Sequence, residues 1–166
     1  PTLREGKFLV KLARRAIFEY LRTGDKISPP NDTPEKIREK RGVFVTLNSM
    51  ETGTPTLRGC IGYLQPVLPL SDAVIDAAIN AATGDPRFPQ VTMEELNNIT
   101  IEVSALTSPA LLELDDPKDA PNRIEIGRDG LIIERGAFRG LLLPQVPIEW
   151  QWNEEEFLSH CCMKAG

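Results

Sequence analysis

The feature that most constrains this chain is a change of hydrophobic period near Gly42. Before it, Leu3, Phe8, Leu9, Leu12, Ala13, Ala16, Ile17, Tyr20 and Leu21 recur at three- and four-residue steps with Lys and Arg between them. That spacing predicts one long amphipathic helix, ended by Gly24. After Gly42, the segment Val43-Phe44-Val45-Thr46-Leu47, a polar turn around Thr52-Gly53-Thr54-Pro55, and the run from Leu57 to Leu64 predict two strands joined as a hairpin.

Between these regions, Ser28 to Pro34 carries three prolines and reads as a linker, with Thr33 capping a brief helix that Pro34 opens and that runs to Lys40. Ser71 caps a helix to about Ala82, with Gly84 in the left-handed position after it. The small face of that helix, Ala73, Ala77, Ala78, Ala81 and Ala82, allows close approach to a sheet. Thr92 and Glu95 form a capping box, after which Ile99 to Leu106 alternates as a half-buried strand does. Residues 108–122 are an exposed connection. Short strands follow at Ile124 to Gly127, Leu131 to Arg135 and Arg139 to Leu143, and Asn153 caps a closing helix with Glu154, Glu155 and Glu156 at its positive end. Helices and strands mix without regular βαβ alternation, so the class is α+β, a mainly antiparallel sheet flanked by helices. At 166 residues the chain is one domain, or two intimately packed subdomains.

Composition narrows the function. The formal charge is −5 with basic and acidic residues interspersed, which argues against a nucleic-acid binder. Three cysteines, two of them adjacent, and a single histidine oppose both a disulfide framework and a multi-histidine metal site. Cys60 with His160, Cys161 and Cys162 has the count of a zinc site. Successive helical residues, however, fan out by about 100° each and cannot converge on one ion, so no metal is expected. No phosphate-binding glycine loop or calcium loop is present, and no cofactor is expected. Without an apolar run of about 20 residues or a leader-like start, the expected location is the cytoplasm.

The chemistry-bearing segment is Leu57-Arg58-Gly59-Cys60-Ile61-Gly62. Strand alternation puts Arg58, Cys60 and Gly62 on one face. Glycine costs stability inside a strand, so Gly59 and Gly62 around Cys60 point to a bulge or to a backbone that something approaches closely. A guanidinium beside a thiol favours the thiolate, the nucleophilic form. The alternative is a buried, inert cysteine with Arg58 paired to a structural carboxylate. Asp85-Pro86-Arg87-Phe88-Pro89 is a rigid turn in which Asp85 and Arg87 either orient a ligand or lock the turn itself. Gln145, after Pro144 at a strand end, either lines a site or satisfies a backbone group.

These motifs, with Ile101-Glu102-Val103-Ser104, Arg139-Gly140-Leu141-Leu142-Leu143-Pro144-Gln145-Val146 and Cys162-Met163-Lys164-Ala165-Gly166, occur in the order of the AMMECR family. The chain resembles that family over nearly its whole length. The family takes its name from a human chromosomal region linked to Alport syndrome, midface hypoplasia and elliptocytosis. The resemblance implies a larger and a smaller subdomain with a cleft between them, lined by Arg58, Gly59, Cys60 and Gly62, with Asp85, Arg87 and Gln145 as further candidates. It also implies a pathway or complex shared with radical-SAM and Memo-type proteins. Asp129 stands where many relatives carry histidine before a Gly-Leu pair. Two functions follow as expectations: a binding or assembly module for a small anionic ligand or a partner protein, or a thiol-dependent enzyme with Cys60 as nucleophile.

Overall fold

A computed structural model describes residues 1–166. The chain is α+β, with all its sheet pairing antiparallel, and it divides into two compact units, Pro1–Ser108 and Pro109–Gly166. No helix is long and apolar enough to cross a membrane.

In the first unit, helix α1 spans Leu3–Thr23. Thr2 and Glu5 close a capping box at its start, and Gly24 ends it at φ +81°, a left-handed conformation that glycine adopts without a Cβ penalty. Its apolar stripe, Leu9, Leu12, Ala13, Ala16 and Ile17, is buried as the periodicity requires. Strands β1 (Val43–Ser49), β2 (Thr56–Tyr63) and β3 (Ile99–Ala105) form a sheet of order β2-β1-β3. Val43, Val45 and Leu47, with Ile61, Ile101 and Val103 beside them, belong to the core built with α1 and α2 (Leu70–Thr83). Alternation leaves Phe44, Thr46, Cys60, Gly62, Glu102 and Ser104 on the other face. The alanine face of α2 is fully buried, and it lets the helix lie close on the sheet.

Three local expectations change. Helix α2 begins two residues early, because the Leu70 amide donates to the Glu39 carbonyl (2.9 Å) and Pro69, not Ser71, occupies the cap. Ser71 is therefore inside the first turn, where its hydroxyl bonds Asp72. Gly84 stays at φ −123°, not left-handed. The Thr33 hydroxyl donates back to the Pro30 carbonyl (2.6 Å), closing a turn instead of capping a helix, and only a 3-10 turn, Glu35–Ile37, follows.

The second unit pairs β4 (Leu131–Arg135) with β5 (Phe138–Leu142) in a hairpin that turns at Gly136, φ +62°. Helix α4 (Glu154–Lys164) carries an Asn153/Glu156 capping box and buries Phe157 and Cys161 against Ile124 and Leu142. The strand expected at Ile124 to Gly127 is a turn. Both the Arg128 and Asp129 amides donate to the Glu125 carbonyl, and the Asp129 carboxylate accepts from the Glu125 amide (2.9 Å). A short helix, α3 (Gln145–Glu149), follows Pro144. The sequence reading missed it, because one helical turn is too brief to show a period.

Candidate functional site

The site is built on an edge strand. β2 pairs only with β1, and Cys60 lies opposite Thr46. An edge strand points half of its amides and carbonyls at no neighbouring strand. At Cys60 the Asp85-Pro86-Arg87 turn fills that role. The Asp85 carboxylate accepts from the Cys60 amide (2.8 Å), and the Arg87 guanidinium donates to the Cys60 carbonyl (3.3 Å). One carboxylate and one guanidinium thus stand in for the next strand of the sheet.

Asp85 and Arg87 also hold each other. Nε and an Nη of Arg87 donate to the two carboxylate oxygens (2.9 and 2.6 Å), and the Arg87 amide donates to one of them (3.1 Å). The Asp85 side chain is 2% exposed, against 53% for Arg87. The hydrogen bonds from the Arg87 side chain, joined by the Cys60 and Arg87 amides, hold the Asp85 carboxyl well below the usual carboxylate range despite its burial. The same bonds raise the basicity of Arg87, to which the charge of Asp85 adds.

Arg58 does not share the Cys60 face as alternation predicted. Gly59 pairs with Leu47 and Leu57 with Asn48, which leaves Arg58 as the extra residue of a β-bulge. Its guanidinium is drawn to Glu95 (3.0 and 3.3 Å) and to the Pro89 carbonyl (2.8 Å). Only 12% of the side chain is exposed. Arg58 is also the main reason Glu95 titrates below its ordinary value. Glu95 closes the Thr92 capping box at the same time, so one carboxylate ties the bulge to the turn that leads into β3. The Phe88 ring lies under both cations, at 5.4 Å from Arg87 and 6.0 Å from Arg58.

The two glycines serve close approach. A Cβ on Gly59 would stand 2.1 Å from the Ala81 carbonyl oxygen of α2, and one on Gly62 would stand 2.4 Å from the Phe44 ring. Cys60 carries a half-buried free thiol, whose sulfur accepts from the Thr46 hydroxyl at 3.3 Å. Arg58, Gly59, Cys60, Gly62, Asp85 and Arg87 therefore lie together in the first unit. Gln145 is carried by the second, half-buried at the start of α3. His160 stacks on Trp152 in that unit, centroids 3.8 Å apart. Sequence reasoning missed Thr46; it allowed for a structural carboxylate on Arg58, which the structure supplies, but did not identify it as Glu95. The capping motif did signal Glu95, but nothing local identifies its distant partner.

Residues 10–166 match the family model described as AMMECR1. Protein PH0010 of Pyrococcus horikoshii is 58% identical over 162 residues, 97% of this chain and 78% of its own length. A protein of Methanothermobacter thermautotrophicus is also 58% identical over 162 residues, covering 98% of this chain and 82% of its own. The crystal structure of the uncharacterized protein PH0010 superposes with a TM-score of 0.92 at 57% identity, covering 98% of this chain and 80% of that one.

Proposed function

The chain belongs to the AMMECR1 family, and from that premise we propose that its first unit is a binding module whose site is the β2 edge at Cys60, with Arg87 receiving an anionic group. The anion belongs to a small molecule or to a partner protein. Radical-SAM and Memo-type proteins, which the sequence resemblance brings in, are the first partners to test. The observation that supports this reading is the contrast between the two guanidiniums. Arg58 is 12% exposed and engaged by Glu95 and Pro89, whereas Arg87 is 53% exposed and already oriented by Asp85. A pre-oriented guanidinium gives up little freedom when it takes a carboxylate or phosphate, and charge-assisted bonds are the strong ones.

The test is a thermal-shift and calorimetric screen of phosphate, small carboxylates and nucleotides against wild type and single variants. Arg87→Ala abolishes any shift found, Arg87→Lys keeps part of it, and Cys60→Ala keeps most of it. A ligand that binds Arg87→Ala as tightly as wild type sinks the assignment.

One observation favours thiol chemistry as a second reading: the Thr46 hydroxyl donates to the Cys60 sulfur, a bond that would stabilise a thiolate. Alkylation across pH, with Cys161 and Cys162 changed to Ser and a free-thiol peptide as reference, separates the two. The binding reading expects Cys60 to react no faster than the peptide. Fast reaction at a pH where the peptide is still slow, together with loss of function in Cys60→Ser, moves the assignment to a nucleophile.

A further inference from the structure

The second unit carries an aromatic corner that the first unit's site does not use. Trp150, 67% exposed, stacks with Trp152 at 6.0 Å between centroids and 20° between planes, and Trp152 stacks in turn on His160. The residue between the tryptophans, Gln151, has φ +56° and is the one non-glycine residue of the chain in the left-handed region. A side chain is disfavoured there, so the backbone is locally strained where it turns one indole inward and leaves the other in water. An exposed tryptophan on an ordered stack is a ready platform for a second flat or cationic group.

Charge selects between those occupants. Residues 109–166 hold eleven Asp and Glu against six Lys and Arg, which accounts for the whole net charge of −5; the first 108 residues are balanced. The asymmetry is sharpest at the aromatic corner, where Glu149, Glu154 and Glu155 flank the tryptophans with no Lys or Arg between 140 and 163. The unit's ion pairs draw on Glu125, Asp129 and Glu134 and leave those three carboxylates available. A phosphate-bearing base would meet this field with repulsion, whereas a cation would meet it with attraction.

We propose that the Trp150–Trp152 corner is a docking site for a basic segment of a partner protein, with an Arg or Lys side chain seated on the open face of Trp150 and neighbouring cations paired to Glu149, Glu154 and Glu155. It is carried by the second unit, as the Cys60 edge is by the first, and its partner is opposite in charge to the group assigned to Arg87.

The chain's only two tryptophans are the proposed site, so its own fluorescence reports occupancy. The full chain is titrated with an arginine–glycine repeat peptide, a glutamate–glycine peptide of the same length and a single-stranded oligonucleotide, with calorimetry in parallel. The arginine peptide is expected to quench and bind, while the other two do not. Trp150→Leu and Trp150→Ala should each weaken binding roughly two- to fivefold, and Trp150→Phe should weaken it less, as cation–π strength falls along that series. Changing Glu149 and Glu154 to Gln should weaken binding further and flatten its salt dependence. Because Trp150 is mostly solvent-exposed, circular dichroism should show all these variants folded. Full affinity in the Leu variant would make the partner apolar and overturn the proposal. Preference for the oligonucleotide, unchanged affinity in both the Ala and Leu variants, or no arginine-peptide binding at low salt would each overturn it as well.

Discussion

Removing Asp85 tests whether two side chains replace a strand. In Asp85→Ala the Cys60 amide loses its acceptor, and an amide left unsatisfied in a half-buried position costs about 1–3 kcal/mol. The Arg87 amide loses a second bond, about 1 kcal/mol. The Arg87 guanidinium is 53% exposed, so it returns to water and adds about 0–1 kcal/mol. Together these give a destabilisation of about 3 kcal/mol. Asp85→Asn, keeping one carbonyl acceptor, should lose roughly half of that. Arg87→Ala leaves a buried carboxylate with two amides but no counter-charge and should cost about 2 kcal/mol, less than a fully orphaned ion. The pH dependence separates the charge from the geometry. Asp85 has a lowered carboxyl value in the folded state, so its contribution is complete above the ordinary carboxylate range and is lost only as pH falls through the folded value. In Arg87→Ala the folded value rises, and the loss begins at higher pH. The assay is urea unfolding at several pH values. Both tyrosines, Tyr20 and Tyr63, lie in the first unit and both tryptophans in the second, so near-UV signals follow each unit separately. A cost below about 1 kcal/mol in Asp85→Ala, or an acid limb unmoved by Arg87→Ala, refutes the strand-replacement argument.

Gly59→Ala and Gly140→Ala should each destabilise their own unit by about 1–3 kcal/mol or more, since the new Cβ meets helix backbone and not a movable side chain; the contacts are 2.1 Å to the Ala81 oxygen and 2.5 Å to the Cys161 oxygen. The check is whether the tyrosine signal moves for the first and the tryptophan signal for the second. Tyr63 donates to Asp76 and accepts from Asn80, and burial, then the bond to Asp76, raises its phenol above 10.0. Phenolate absorbance should show one tyrosine titrating late. The stability that Tyr63 contributes should hold below pH 10 and be lost as pH rises through the raised value, a loss absent from Tyr63→Phe.

The elements with a period or a cap were legible. The stripe of α1, the alternation of β3, and the caps at Gly24, Glu95 and Asn153 are each written within a few residues, and each forms as read except that Leu3, at the start of the stripe, is exposed. What the sequence did not disclose depends on partners far along the chain. Ser71 had the chemistry of a cap, but the Glu39 carbonyl, 31 positions earlier, starts the helix at Leu70. Ile124 to Gly127 had the composition of a strand, but Asp129 folds it into a turn by accepting from Glu125. The glycines around Cys60 point to a bulge or to close approach, and the structure has both: the bulge at Arg58, the backbone of α2 against Gly59 and the ring of Phe44 against Gly62.

The exchange of roles between Arg58 and Arg87 follows from one residue of register. Had β2 kept strict alternation, Arg58 would stand beside Cys60 on the outer face. The bulge adds one residue before Gly59, and the guanidinium of Arg58 goes instead to Glu95 and Pro89. The same bulge fixes which backbone groups of Cys60 face the strand's open side, and the Asp85-Pro86-Arg87 turn is placed to meet them. A bulge is costly unless its extra residue is held, and the Arg58–Glu95 pair holds it. Arg58 therefore sets the register that presents Cys60, and Arg87 is the cation left at the surface. Variants of Arg58 should act on any function of this edge through stability, whereas Arg87→Ala should lose ligand affinity on top of the stability cost of leaving the buried Asp85 carboxylate without its counter-charge.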